Sequence, residues 1–315
     1  MVRFSDLGIE SRLVGCLADQ GITEPFEVQI EAIPSAMEGR DICCRAPTGS
    51  GKTLAFGLPL ISRTVSAEPK KPTALILTPT RELAEQIRNV LDPLAWDSQM
   101  KVLSVYGGTS YGKQLRGLEK GAEILVACPG RLLDLLKRKA LSLEDVGIVV
   151  LDEADRMADM GFMEPVCKII DQCISEPQMI LFSATLDHEV SKLVKSYQND
   201  PVRIEVGPKE ISMDSMEHLF WNIKPYKKTE IAVKSVRRAG KSIIFCRTRS
   251  GVDRLSDEMK LDDVPLSSLH GGLNQKQRDR AMRKFSSGRS MVLVATDVAA
   301  RGIDVEGINC VIHYD

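Results

Sequence analysis

Aromatic side chains are sparse in this sequence. Eight Phe, five Tyr and two Trp make up 5% of its 315 residues. Base stacking is therefore excluded as the main mode of any nucleic-acid contact. Charge of one sign is also lacking: 42 Lys and Arg against 43 Asp and Glu leave a net charge of −1. No global basic field exists, so a polyanion would have to be met by a local patch. No run approaches the roughly 18 apolar residues of a membrane span, and the opening Met1-Val2-Arg3-Phe4-Ser5-Asp6 lacks the pattern of a signal peptide. The eight cysteines include no Cys-x-x-Cys pair, and four scattered histidines complete no zinc pattern. Free thiols in a reducing compartment, the cytoplasm, are the expectation. Low-complexity segments and short repeats are absent.

What is present is alternation. Short apolar runs at Asp41–Cys44, Ala74–Thr78, Val102–Tyr106, Ile124–Ala127, Gly147–Leu151 and Met179–Phe182 read as strands buried on both faces. Helical patterns such as Arg81–Leu91 and Arg131–Lys137 lie between them. This order predicts an α/β doubly wound parallel sheet over residues 1–207. Residues 208–216 are polar and weakly patterned and read as a linker. Over 217–315 the alternation resumes, with strands expected at Leu219–Ile223, Ser242–Phe245, Val264–Leu269, Met291–Ala295 and Asn309–His313 and helices at Arg249–Met259 and Gln275–Phe285. The last strand reaches its C-terminal edge as the sequence stops, so this second domain reads as incomplete.

Two segments carry chemistry. Ala46-Pro47-Thr48-Gly49-Ser50-Gly51-Lys52-Thr53 sits between a strand and a helix. A glycine-rich turn there aims backbone N–H groups and a helix N-terminus at one spot, which suits nucleotide phosphates. Lys52 suits the β- and γ-phosphates and Thr53 a Mg²⁺ ion. The usual pattern begins with Gly, and Ala46 departs from it. About a hundred residues later, Leu151-Asp152-Glu153-Ala154-Asp155 places three acids at the end of an apolar strand. Packing does not explain them, because unpaired buried carboxylates are costly. Asp152 suits the metal and Glu153 the role of base toward a water.

Together these segments resemble the DEAD-box RNA helicases, and the resemblance spans essentially the whole chain. Ala46 is itself the residue of that family. Further motifs follow in family order: Pro79-Thr80-Arg81-Glu82-Leu83-Ala84, Gly107-Gly108, Cys128-Pro129-Gly130-Arg131 with Cys128 where Thr is usual, and Ser183-Ala184-Thr185. In the second half come Ile244-Phe245-Cys246-Arg247-Thr248-Arg249, then His270-Gly271 with Gln275 and Arg278, and then the run from Ala295-Thr296-Asp297 through Gly302-Ile303-Asp304. The resemblance implies two RecA-like domains and ATP-dependent remodelling of RNA.

It also implies roles. ATP would be met by Ala46, Thr48, Gly49, Ser50, Gly51, Lys52 and Thr53, with Gly302 and Asp304 from the second domain. Gln29 would read the adenine edge, since an amide both donates and accepts. Phe4 is either an aromatic stacked on the base or simple packing. Phe26 stands where the family has Ser or Thr. Asp152 and Thr53 would hold Mg²⁺, and Lys52, Asp152, Glu153, Ser183 and Thr185 would serve hydrolysis and its coupling to strand separation. RNA would be held through its backbone, without a base code, by Thr80, Arg81, Gly108, Thr109, Arg131, Thr248, Arg249, Thr296 and Asp297. Closure of the two domains would bend the strand. The sequence stops at Asp315, ahead of the family's final arginine-rich motif. Such arginines are worth about 10³ to 10⁵ in rate, so poor hydrolysis by this chain is expected. An ATP-gated RNA clamp without unwinding is the alternative. A DNA translocase is disfavoured by the Gln29 region and by Ser183-Ala184-Thr185.

Overall fold

A computed structural model describes residues 2–174, 176–207, 217–297, 305 and 307–315. The expected linker at 208–216 and the candidate residues Gly302 and Asp304 lie outside them. The chain divides into two compact units, Met1–Lys209 and Glu210–Asp315.

In the first unit, helices α1 (Ser11–Asp19) and α2 (Glu27–Met37) precede strand β1 (Ile42–Arg45) and helix α3 (Lys52–Arg63). Alternation continues through β2 (Ala74–Leu77), α4 (Arg81–Asp97), β3 (Val102–Val105), α5 (Tyr111–Glu119), β4 (Ile124–Ala127) and α6 (Pro129–Lys137). It closes with β5 (Ile148–Asp152), α7 (Ala154–Asp159), α8 (Met163–Ile170), β6 (Gln178–Ser183), α9 (His188–Tyr197) and β7 (Val202–Glu205). The seven strands form one parallel sheet in the order β3-β4-β2-β5-β6-β1-β7. Side chains alternate across it with period two. Ile42, Cys44, Ala74, Ile76, Ile148 and Val150 enter one core with α1 to α4. Cys43, Leu75, Leu77, Val149 and Leu151 enter the other with α6 to α9. Burial on both faces is why these runs lack polar alternation. Phe56 of α3 meets Phe182 of β6 at 5.6 Å and 57°, and full burial of each ring contributes about 1.5–3 kcal/mol.

The second unit holds α10 (Lys228–Ala239), β8 (Ser242–Cys246), α11 (Arg249–Lys260), β9 (Leu266–Leu269), α12 (Gln275–Ser286), β10 (Val292–Thr296) and β11 (Cys310–His313). The strands form a parallel sheet in the order β11-β8-β10-β9. Val292 and Val294 of β10 face one core, and Leu293 and Ala295 the other.

The strand expected at Leu219–Ile223 is not formed. Leu219, Phe220 and Trp221 are 62%, 93% and 56% exposed in an irregular segment. This apolar, aromatic run suits a strand, but a strand is held by a neighbour's ladder. Among the described residues β11 pairs with β8 alone, and nothing pairs with 217–223. No described helix is long and apolar enough to cross a membrane.

Candidate active site

Strand order decides which loops meet. β5, β6 and β1 are consecutive in the first sheet. The loops at their C-terminal ends carry Glu153, Ser183-Ala184-Thr185 and Ala46–Gly51. Residues about 30 to 140 positions apart thus share one edge, where α/β sheets bind ligands.

The glycine-rich loop leaves β1 with Ala46 buried in the core and its N–H donating to the Ser183 carbonyl at 3.0 Å. Alanine suits this position because its Cβ packs inward. Ser50 Oγ donates to the Pro47 carbonyl at 2.8 Å. Gly49 and Gly51 take φ of +82° and +89°, the left-handed region that glycine enters without strain. Gly51 caps α3, whose first residues are Lys52 and Thr53. The positive end of the helix dipole therefore points into the loop. Lys52 is buried, and its Nζ donates to the Ala46 carbonyl at 3.3 Å.

Asp152 ends β5 and is 3% exposed, and its Oδ1 is buried without a hydrogen-bond partner. Burial pushes its carboxyl up from the ordinary 3.8 to about 6, against the pull of the Lys52 ammonium. Glu153 follows at φ +56°, ψ +52°, an uncommon backbone for a residue with a side chain, of the kind that gathers at functional sites. Its carboxylate is held by Arg156 Nη1 at 2.5 Å. Asp155 ties the next loop in. Its N–H donates to Ser183 Oγ at 3.0 Å, and its Oδ2 accepts from Thr185 N–H at 2.9 Å and Thr185 Oγ1 at 3.0 Å. Asp155 was missing from the sequence-derived site. It is the third acid of the cluster that begins at Asp152.

The residues present fit a magnesium ion carried by a nucleotide. Such an ion keeps waters and phosphate oxygens and asks for one or two protein carboxylates. The orphaned Oδ1 of Asp152 is a group of that kind, with Thr53 at the start of α3.

One adenine assignment changes, and another gains detail. Phe4 is 1% exposed within the first core, so no ring face is left for a base and packing is its role. Gln29 is 2% exposed and committed at both ends of its amide. Its Oε1 accepts from Phe26 N–H at 2.9 Å and its Nε2 donates to the Gly51 carbonyl at 3.0 Å. One Nε2 hydrogen and one Oε1 lone pair remain for a ligand.

The other half of the edge, β3-β4-β2, carries the remaining motifs of the first unit. Thr80 caps α4, accepting from Leu83 N–H at 3.3 Å. The Arg81 guanidinium lies so close over Gly108, at φ +86°, that a methyl group there would overlap it. Arg131 Nη1 donates to Gln114 Oε1 at 3.0 Å, and its guanidinium sits 5.5 Å from the Tyr111 ring. Gln114 Nε2 in turn donates to the Tyr106 carbonyl at 2.9 Å and to Thr109 Oγ1. Buried Gln114 thus joins the glycine-doublet loop to Arg131, a link that no local pattern announces. Cys128, at the N-cap of α6, makes no cap hydrogen bond, and burial pushes its thiol up to about 12.

The second unit repeats the local design of β2 and α4. Thr248 caps α11, accepting from Gly251 N–H at 3.0 Å, and Arg249 follows at the first helical position. A Cβ on Gly271 would lie 2.9 Å from Arg249 Nη2. His270 Nδ1 accepts from Gly272 N–H at 3.1 Å, so Nε2 carries the hydrogen donated to Asp253 at 3.0 Å. Thr296 is buried at the end of β10, followed by exposed Asp297.

Fold and loop together define a phosphate-loop α/β protein whose first sheet also presents a separate arginine-bearing edge. Comparison with known proteins gives the family. The sequence pattern of the DEAD/DEAH box helicases matches residues 26–193, and that of the helicase conserved C-terminal domain matches 226–315. The chain belongs to the DEAD/DEAH box helicase family. It is 38% identical over 316 residues to the DEAD-box ATP-dependent RNA helicase CshA of Streptococcus pneumoniae, an alignment covering all of this chain and 60% of the relative. The chain therefore spans about 60% of the length of such curated relatives. Among solved structures, S. cerevisiae Dbp5 bound to RNA and ADP BeF3 matches with TM-score 0.85 and 29% identity over 99% of this chain and 80% of that one. The RNA-helicase Prp28 from Chaetomium thermophilum bound to ADP matches with TM-score 0.62 and 33% identity over 100% and 77%.

Proposed function

We propose that this chain is the ATP-dependent, RNA-binding core of an RNA helicase. The observation that carries the reading is the meeting of Ala46–Thr53, Asp152-Glu153 and Ser183–Thr185 on three adjacent strands, in a family whose named relatives are ATP-dependent RNA helicases. On ATP binding, Lys52 exchanges the Ala46 carbonyl for phosphate oxygens, and the N-terminus of α3 adds its N–H groups. Thr53 and Asp152 hold magnesium, which neutralises phosphate charge when bound with the nucleotide. Glu153 accepts the proton of the attacking water once Arg156 releases it. Asp155, Ser183 and Thr185 carry the change in the acid loop to the end of β6. Gln29 orients the adenine through its remaining Nε2 hydrogen and Oε1 lone pair. Gly302 and Asp304 join the nucleotide on the sequence match alone.

RNA is held through phosphates and ribose by Arg81, Arg131, Thr109 and the backbone at Gly108 and Thr80. In the second unit Thr248, Arg249, Thr296 and Asp297 serve the same role. Contacts of this kind carry no base code, so the binding is sequence-independent. The hydroxyls of Thr80 and Thr248 accept helix N–H groups as caps and keep their own O–H to donate, beside the arginines, to a phosphate.

The test is ATP binding and turnover by this 315-residue chain, with and without single-stranded RNA. The wild type binds ATP only with magnesium present, and RNA raises its turnover. Lys52→Ala loses binding. Glu153→Gln keeps binding and loses about 10²- to 10⁴-fold in turnover, the span of a general base. A wild type that binds no nucleotide overturns the nucleotide assignment. A wild type that binds no single-stranded RNA in the presence of ATP overturns the RNA half.

A further inference from the structure

Phe26 breaks local rules. It is the N-cap of α2, a position that favours Ser, Thr, Asp or Asn because their oxygens accept from the first helical N–H groups. Phenylalanine supplies no acceptor. Its ring is also 61% exposed, although an aromatic ring gains by burial. Folding therefore gives no reason for Phe at this position. Sequences break local rules of this kind most often at functional sites.

Its surroundings indicate the occupant. A Cβ built on Gly51 would fall 2.6 Å from Phe26 Cδ2 and 2.6 Å from Gln29 Nε2. The ring edge therefore rests on the last residue of the glycine-rich loop, beside the one amide available to a base. The Phe26 N–H is bonded to Gln29 Oε1, which fixes the backbone that carries the ring. The rest of the ring is open to solvent, next to where the phosphates would sit. The buried ring of Phe4 offers no competing platform.

We infer that Phe26 stacks on the nucleobase of the bound nucleoside triphosphate and supplies most of the base affinity of this chain. This rests on the nucleotide reading above. Every base has a π face, so stacking does not distinguish adenine from guanine. Discrimination falls to the Gln29 amide, which keeps one Nε2 hydrogen and one Oε1 lone pair.

The experiment compares Mg²⁺-ATP, Mg²⁺-GTP and Mg²⁺-tripolyphosphate, the last having phosphates and no base. Binding is measured by calorimetry on the full chain for wild type, Phe26→Ala and Phe26→Tyr. Phe26→Ala is expected to weaken ATP and GTP about tenfold each, the scale of one base–aromatic stack, and to leave tripolyphosphate within about twofold. Phe26→Tyr restores both nucleotides. If Phe26→Ala leaves ATP binding unchanged, the proposal is wrong. If it weakens ATP and tripolyphosphate equally, the ring only buttresses the loop and the proposal is again wrong. A wild type that binds neither ATP nor tripolyphosphate removes the nucleotide reading itself, and the proposal with it. That result is distinct from a wild type that binds both while the variant changes nothing.

Discussion

Replacing Asp152 with Asn should stabilise the nucleotide-free protein, and the gain should depend on pH in a definite direction. Asp152 is almost fully buried with an orphaned Oδ1, and burial raises its carboxyl to about 6 from the ordinary 3.8. The folded state thus binds this proton more tightly than the unfolded state does. Below 3.8 both states are protonated and no penalty exists. Between 3.8 and about 6 the unfolded state ionises first, so stability falls as pH rises. Above about 6 the penalty is complete. At about 1.4 kcal/mol per pH unit, the gap between 3.8 and about 6 amounts to roughly 3 kcal/mol at pH 8 and about half that at pH 5. Asn keeps the shape and removes the charge. The assay is urea unfolding in chelator without nucleotide, followed through Trp96 in a Trp221→Phe background so that the first unit alone reports. Asp152→Asn should gain up to about 3 kcal/mol at pH 8 and clearly less at pH 5. An equal gain at both values, or a loss at pH 8, would refute the reasoning. Stability of this kind is gained at the expense of function, since the same carboxylate is the proposed magnesium ligand.

Two further outcomes are expected. Gln114→Ala removes the acceptor for Arg131 and the tie to the Tyr106 carbonyl; RNA affinity measured by fluorescence anisotropy should fall several-fold while ATP affinity holds. Cys128→Thr supplies the missing cap of α6 and should raise the unfolding free energy by about 1 kcal/mol in a denaturant titration, within the range for N-caps.

The parts of this protein written in contiguous residues were legible. Buried strands such as Ile148–Asp152 show as apolar runs, and the phosphate loop and acid cluster follow such runs at fixed offsets. What sequence alone did not show depends on distant partners. The amide of Gln29 is divided between Phe26 and Gly51, 22 residues on, and Gln114 is defined by Arg131, 17 residues away. Phe4 and Phe26 are both aromatic residues near the candidate adenine site, and only packing separates the buried ring from the exposed one. Leu219–Ile223 has the apolar run of a strand without a described ladder to join. The hydroxyls of Thr80 and Thr248 also cap the helices α4 and α11, a second use that depends on how those helices begin.

The order of strands in the first sheet also sets how separable its two chemistries are in a genetic sense. The loops after β1 and β3 stand five strand positions apart, about 24 Å at 4.8 Å per step. Substitutions more than roughly 7–10 Å apart usually act independently, so changes at Lys52 and in the glycine doublet belong to different phenotypic groups. β2 and β5 are direct neighbours, with Leu77 opposite Leu151. At that one seam, between Thr80-Arg81 and Asp152-Glu153, a change made for either chemistry is a change to both.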